Sequence, residues 1–222
     1  MRIGGLERFT LTDFPGIPAA VVFTRGCNFR CPYCHNGSLL STESKSDDML
    51  SEERVLSFLE SRRGRLSGVV VSGGEPTIQP DLPRFLESVR DMGYAVKLDT
   101  NGGRPDVIET VISSVLVDYI AMDVKAPLHL YPNLSGVPVD TDAVIESISL
   151  ISSSGLPHLF RTTVPPGLLT KEDVAAIRTL IPEGSPYLTQ PCRTENALEP
   201  EAFIPAPYPP SSKHAPAAHV AP

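Results

Sequence analysis

The chain has 222 residues, of which 41% are hydrophobic and 20% charged, and its formal net charge is −7. That length suits one domain with a tail and is enough to bury a sizeable core, while the acidic balance speaks against a general nucleic-acid binder, which carries a basic excess. No apolar run approaches the span of a bilayer, and the first residues lack the basic-then-apolar pattern of a signal peptide. A cytoplasmic protein with neither nucleic acid nor membrane as partner is expected.

Residues 17–24 (IPAAVVFT) are apolar and β-branched toward their end, the pattern of a buried strand that delivers the chain into a cysteine-bearing loop. Residues 39–48 are polar and aperiodic and read as loop. Ser51 suits the N-cap of a helix to about Arg63, with Val55, Leu56, Phe58 and Leu59 on its buried face. Residues 68–72 (GVVVS) read as a second strand, which ends in GGEP. Asp81 is expected to cap a helix carrying Leu82, Phe85, Leu86, Val89 and Met92 at helical spacing, with Gly93 as its stop. A third strand at 94–98 ends in DTNG, and Pro105 opens a helix with Val107, Ile108, Val111 and Ile112 on one face.

A fourth strand at 118–122 ends in DVKAP. A loop follows to about Val139, with Tyr131, Pro132 and Asn133 as turn material. Residues 141–152 read as a helix with Val144, Ile145, Ile148 and Ile151 buried; 158–163 as a fifth strand; 171–181 as a helix; and 186–190 as a short sixth strand. From about Glu199 the composition shifts to proline and alanine without any periodic pattern. A core domain over 1–198 and a disordered tail over 199–222 are therefore expected.

Six strand–helix repeats argue for a parallel sheet with helices outside. Six units are too few to close an eight-stranded barrel. The expected fold is α/β, a partial (β/α)6 TIM-like barrel, with an open doubly wound sheet as runner-up.

The cysteine loop, TRGCNFRCPYCHNG at 24–37, places Cys27, Cys31 and Cys34 at C-x3-C-x2-C spacing. Cysteine thiolates hold iron–sulfur clusters, usually four to a cubane. A local run of three leaves one iron open to a non-protein ligand. Zinc with His35 or Cys192 as fourth ligand is the competing reading, and unrelated free thiols a third. Four cysteines, three at metal-ligand spacing, indicate a reducing compartment rather than a disulfide framework. Cys192 lies outside the trio and reads as a plain thiol.

With Tyr33 just before its last cysteine, this run resembles the radical SAM enzymes. CPYCHN, together with the opening GGLERFTLTDFPG, resembles their glycyl-radical-enzyme activating branch, above all the activating protein of anaerobic ribonucleoside-triphosphate reductase. The resemblance covers roughly residues 1–190. It implies the partial barrel, a 4Fe–4S cluster on Cys27, Cys31 and Cys34, and S-adenosylmethionine chelated to the open iron. It further implies flavodoxin or ferredoxin as electron donor, and a glycyl radical enzyme as protein substrate, most simply a class III ribonucleotide reductase. A pyruvate formate-lyase-type activating enzyme, or a radical SAM enzyme acting on a small molecule, are the neighbouring readings. A non-catalytic zinc or iron–sulfur binding module is the reading from another class.

In parallel α/β folds the active site lies at the C-terminal ends of the strands. The polar motifs obey that rule: the cysteine loop, Gly73-Gly74-Glu75, Asp99-Thr100-Asn101, Asp123 with Lys125, Arg161 with Thr163, and Gln190 each end a successive strand. Gly73 and Gly74 let backbone approach a ligand closely, and the resemblance gives the GGE motif the cofactor's ammonium group. Asp99, Thr100 and Asn101 suit ribose hydroxyls or the methionine end, or else an Asx-type turn. Asp123 and Lys125, two apart, share a side and either hold the cofactor carboxylate or pair with each other. Tyr33 and His35 are expected to pack against adenine. Arg161, Thr163 and Gln190 complete the set of expected contacts. After Gln190 the chain departs from the family pattern, running on into PCRTENALEP.

Overall fold

The computed structural model describes residues 1–41 and 49–200. Its strands are β1 (Ile3–Thr10), β2 (Ala19–Thr24), β3 (Gly68–Gly73), β4 (Ala95–Thr100), β5 (Tyr119–Asp123), β6 (His158–Val164) and β7 (Tyr187–Pro191). They form one sheet in the order β1-β2-β3-β4-β5-β6-β7, with β2 to β7 parallel and β1 antiparallel to β2. Between them run α1 (Glu52–Arg62), α2 (Leu82–Asp91), α3 (Pro105–Ser113), α4 (Tyr131–Ser135), α5 (Thr141–Ser153) and α6 (Lys171–Leu180). Sequential order with parallel neighbours is the topology of a partial TIM-type barrel, and β1 and β7 are its two unjoined edges.

Alternation along each strand divides the molecule into two cores. Outward-facing Val22, Val69, Val71, Val96, Leu98, Ile120, Met122 and Phe160 pack with Leu59, Phe85, Leu86, Ile108, Ile148 and Ile177 from the helices. Fully burying each large side chain there contributes about 1.5–3 kcal/mol. Inward-facing Ala19, Val21 and Val70 form a much smaller core with Phe14, whose ring meets Tyr119 edge to face at 6.1 Å. Phe14 belongs to the β1–β2 connection, so this loop plugs the N-terminal end of the barrel. The inward positions nearer the other end are polar: Ser72, Lys97, Asp99, Asp123, Arg161, Thr163 and Gln190.

Local sequence explains most element ends. Ser51 accepts from the Arg54 amide at 3.2 Å and caps α1. Thr170 and Asp173 form a capping box on α6. Asp81 occupies the N-cap position of α2 but makes no cap bond. Its carboxylate instead accepts from the Met1 ammonium at 2.9 Å, which holds that carboxyl below the usual range.

Three expectations need correction. The first is β1, for which the sequence gives little signal. Two glycines open it, Glu7, Arg8 and Phe9 are exposed, and its register with β2 is irregular between Glu7 and Thr10. An edge strand with one neighbour has no need of a buried run. The second is residues 131–133, which begin α4 rather than a turn; Tyr131 is fully buried there. The third is α1, where Leu56 and Phe58 are only half-buried. The Phe58 ring lies instead beneath the guanidinium groups of Arg8 and Arg62. Of the loop expected at 39–48, residues 42–48 lie outside the described residues, as does most of the tail, 201–222.

Candidate functional site

Parallel register aligns the strand ends. Thr24 stands opposite Gly73, Thr100 opposite Met122, Asp123 opposite Arg161, and Thr163 opposite Gln190. Above them opens a cavity of about 220 Å³. Every residue expected to form the site lines it: Cys27, Cys31, Tyr33, Cys34, His35, Gly73, Gly74, Glu75, Asp99, Thr100, Asn101, Asp123, Lys125, Arg161, Thr163 and Gln190. Phe29, Asn36, Leu40 and Ser72 share the lining.

The cysteine loop is held from two sides by backbone. On one side Gly26 donates to the Leu39 carbonyl at 2.7 Å, Gly74 to Thr24 at 2.9 Å, and Glu75 to Gly26 at 2.8 Å. A Cβ on Gly74 would lie 2.1 Å from the Gly26 oxygen. On the other side Arg30 donates to Ser135 at 2.7 Å, and a Cβ on Gly136, at φ 68°, would lie 2.1 Å from the Arg30 oxygen. Gly73 and Gly74, at the end of β3, therefore serve the close approach of loop to strand. The Gly73 carbonyl accepts from Asn36 Nδ2 at 3.0 Å, a second tie to the same loop.

Burial and the neighbouring Glu75 charge push the Cys27 thiol up to about 12, against the Phe29 amide, which donates to its sulfur at 3.3 Å. Burial also raises Cys31. Both shifts favour the neutral thiols, and coordination to a positive metal centre reverses that preference.

Glu75 departs from its expected role. It is 1% exposed. Oε1 accepts from the Thr77 amide at 3.1 Å, the Thr77 hydroxyl at 2.6 Å and the Thr100 hydroxyl at 2.8 Å; Oε2 accepts from the Asn101 amide at 2.8 Å. Burial raises its pKa against the pull of these four donors. Its carboxylate is spent joining the ends of β3 and β4. Thr100 and Asn101 likewise use their side chains locally, accepting from Gly102 at 3.1 Å and Gly103 at 2.9 Å as in an Asx-type turn. Asn101 Nδ2 also donates to Asn28 at 2.8 Å, within the cysteine loop.

Across β4, β5 and β6 runs a row of alternating charges. Lys97 donates to Asp99. Arg161 bridges Asp99 at 3.5 Å and Asp123 at 2.9 Å. Lys125 donates to Asp123 at 3.1 Å. Burial alone would raise the Asp123 carboxyl, but the ammonium of Lys125 and the guanidinium of Arg161 bring it down to about 2. The same pairing raises Lys125 and Arg161 although burial opposes it. Of the two readings of Asp123 and Lys125, mutual pairing is thus present within the chain. Gln190 Nε2 donates to Thr163 at 2.9 Å. His35 Nε2 lies 3.0 Å from the Arg193 carbonyl and 3.8 Å from the Cys192 sulfur. Cys192 thus meets the loop through His35.

Lys97, Asn36 and Ser72 escaped the sequence reading. Lys97 interrupts the apolar start of β4, and its spacing of two from Asp99 was the available signal.

The family model of the radical SAM superfamily matches residues 21–181. The chain belongs to the radical SAM superfamily. A candidate glycyl-radical enzyme activating enzyme of Methanocaldococcus jannaschii is 30% identical over 212 residues, which are 93% of this chain and 86% of that protein. This likeness over nearly the whole length sets the chain in the glycyl-radical activating branch. The pyruvate formate-lyase-activating enzyme of Listeria monocytogenes is 33% identical over 56% of this chain and 53% of its own. A 7-carboxy-7-deazaguanine synthase of Methanopyrus kandleri is 31% identical over 61% of this chain and 60% of its own. Among solved structures, Streptococcus suis SuiB bound to precursor peptide SuiA superposes with a TM-score of 0.63 at 15% identity, over 80% of this chain and 40% of that one. That likeness shows the shared radical SAM fold.

The radical SAM superfamily implies an iron–sulfur cluster and S-adenosylmethionine, and the residues present fit both. Three thiols, the donors an iron–sulfur cluster takes, open onto one cavity. Among the described residues no three His, Cys, Asp or Glu side chains converge closely enough to hold a single metal ion. The opposite wall carries both signs of charge, as a zwitterionic amino-acid ligand requires. Among the described residues, no helix is long and apolar enough to cross a membrane.

Proposed function

We propose that this radical SAM protein is an activating enzyme that generates a glycyl radical on a partner, an anaerobic (class III) ribonucleotide reductase. The observation that carries this reading is the single cavity on which the cysteine trio and the charged row meet. Near-full-length similarity to a glycyl-radical activating relative supports it.

Cys27, Cys31 and Cys34 would hold a 4Fe–4S cluster and leave one iron for the amino and carboxylate groups of S-adenosylmethionine. That bound group would supply one-electron reductive and radical chemistry toward a glycine of the partner, with flavodoxin or ferredoxin as the electron source. The chain's own residues bind and orient. Lys125 and Arg161 present cations to an anionic group, with Asp99 and Asp123 fixing their positions. Tyr33 and His35 flank the last cysteine and pack against adenine. Gly73, Thr100 and Asn101 set the floor, Glu75 ties that floor together, and Thr163 and Gln190 close the wall toward β7. No side chain is required as general acid or base. The gap between β1 and β7 leaves the barrel open at the side, which suits a glycine-bearing loop of a protein.

The test is anaerobic incubation of the reconstituted, reduced protein and S-adenosylmethionine with a class III ribonucleotide reductase, and separately with pyruvate formate-lyase. The glycyl radical is read by its EPR doublet. A doublet on the reductase alone is expected. A doublet on pyruvate formate-lyase alone reassigns the partner. Cofactor turnover with neither protein, but with a purine-like small molecule, supports the reading that the deazaguanine synthase similarity favours.

A further inference from the structure

The stretch that follows Gln190, PCRTENALE at 191–199, leaves the sheet and turns back onto the cysteine loop. The Cys192 amide still donates to the Val164 carbonyl of β6 at 3.3 Å. One turn of 3-10 helix follows at Thr194–Asn196. The Arg193 carbonyl lies 3.0 Å from His35 Nε2, and since a carbonyl only accepts, the ring donates to it. Cys192 Sγ stands 3.8 Å from the same nitrogen. Ala197 is buried. A Cβ on Gly37 would lie 3.0 Å from Leu198 Cδ1, so that side chain rests directly on the glycine. The Glu199 amide donates to the Pro32 carbonyl at 2.9 Å.

These contacts fall at Pro32, His35 and Gly37, on both sides of Cys34. The two grips described above take other parts of the loop: Gly26 and Leu39 at its ends, and Arg30 ahead of Cys31. Asn36 ties the third-cysteine half to β3 through the Gly73 carbonyl; the Pro32 carbonyl and the His35 ring are held by 192–199. Ordering a coil segment costs roughly 1–2 kcal/mol per residue, and much of what offsets that cost here is contact with the cysteine loop. A ligand set that is already ordered loses less freedom when it binds.

We propose that residues 192–199 are a strap that fixes the Cys34 half of the cysteine loop, so that the third thiol is held in place for the cluster and the cluster is released slowly. This rests on the cluster reading above and deepens it. The strap supplies no ligand; its residues position one.

The experiment follows transfer of iron from the anaerobically reconstituted full-length protein to an excess of a strong iron chelator, in wild type, Glu199→Pro and Glu199→Ala. Melting of the iron-free proteins is the second readout. Proline removes the N–H that meets Pro32, whereas alanine keeps it. Glu199→Pro is expected to release iron about three- to tenfold faster than wild type. Glu199→Ala releases it at the wild-type rate, and the iron-free Tm is the same in all three. Leu198→Asp, which withdraws the side chain from Gly37, is expected to speed release as well. Equal release from wild type and Glu199→Pro overturns the strap. So does equal acceleration in Glu199→Pro and Glu199→Ala, which would assign the effect to the carboxylate. An iron-free Tm lowered by several degrees in Glu199→Pro also overturns it, because the segment would then serve the fold as a whole. Wild-type protein that takes up no iron overturns the cluster reading itself, and the strap with it.

Discussion

Asp123 is half-buried and Glu75 fully buried at the rim, and their surroundings pull them in opposite directions. Asp123 is held at about 2 by two cations, against an ordinary value of 3.8. A carboxyl depressed in the folded state stabilises above its ordinary pKa and ceases to as pH falls through the folded value. The contribution is about 2 kcal/mol, present above roughly pH 4 and lost toward pH 2. Asp123→Asn, which leaves Lys125 without its carboxylate and Arg161 with Asp99 alone, is expected to cost about 3 kcal/mol at neutral pH. Denaturant titrations across this window should show the gap to wild type narrowing in acid; a gap that stays constant contradicts the account. Glu75 is raised, so its stabilising contribution is present below 4.5 and lost as pH rises through its folded value. Its four donors nonetheless need oxygens. Glu75→Gln turns an amide NH2 toward at least one of them and is expected to cost about 1–3 kcal/mol by chemical denaturation; an unchanged midpoint would dismiss the carboxylate as a brace. These residues were legible as a group because strand ends in a parallel sheet share a rim. Their division of labour was not, since sequence position does not reveal that Glu75 turns inward to Thr77, Thr100 and Asn101 while Asp123 faces Arg161.

At the scale of elements, the six parallel strands and the helices between them announce themselves through apolar runs and caps, with ends displaced by one or two residues. The strand after Gly93 is a case in point: it runs on to Thr100, so Asp99 and Thr100 belong to the strand itself. What stayed hidden depends on contacts distant in sequence. β1 has only β2 to pair with and so lacks a buried pattern. α4 is five residues long and owes its place to Tyr131, Leu134 and Ser135, all buried against the rest of the fold. Its role becomes clear only where Ser135 and Gly136 grip the backbone of Arg30. Gly136→Ala must adopt φ 68° and displace the Arg30 carbonyl. We expect a loss of about 1–3 kcal/mol and reduced iron loading after reconstitution, read by Tm and by iron stoichiometry. Full iron loading in this variant would show that α4 does not position the cysteine loop.

For the molecule as a whole, the decisive arrangement is an incomplete barrel with a plugged base and a polar rim. Phe14 fills the N-terminal end. The helices cover the outer face, and the cysteine loop covers the rim beside β2. Among the described residues β1 and β7 end the sheet without pairing to each other. The account's central claim is that the rim cavity holds a cluster on Cys27, Cys31 and Cys34 with S-adenosylmethionine beside it. The most direct measurement is EPR of the anaerobically reconstituted, dithionite-reduced protein with and without S-adenosylmethionine, together with an assay for 5′-deoxyadenosine. The account predicts a 4Fe–4S signal that the cofactor perturbs, 5′-deoxyadenosine as product, and loss of both in Cys31→Ala. Zinc in place of iron after strictly anaerobic preparation, with no 5′-deoxyadenosine, would contradict it.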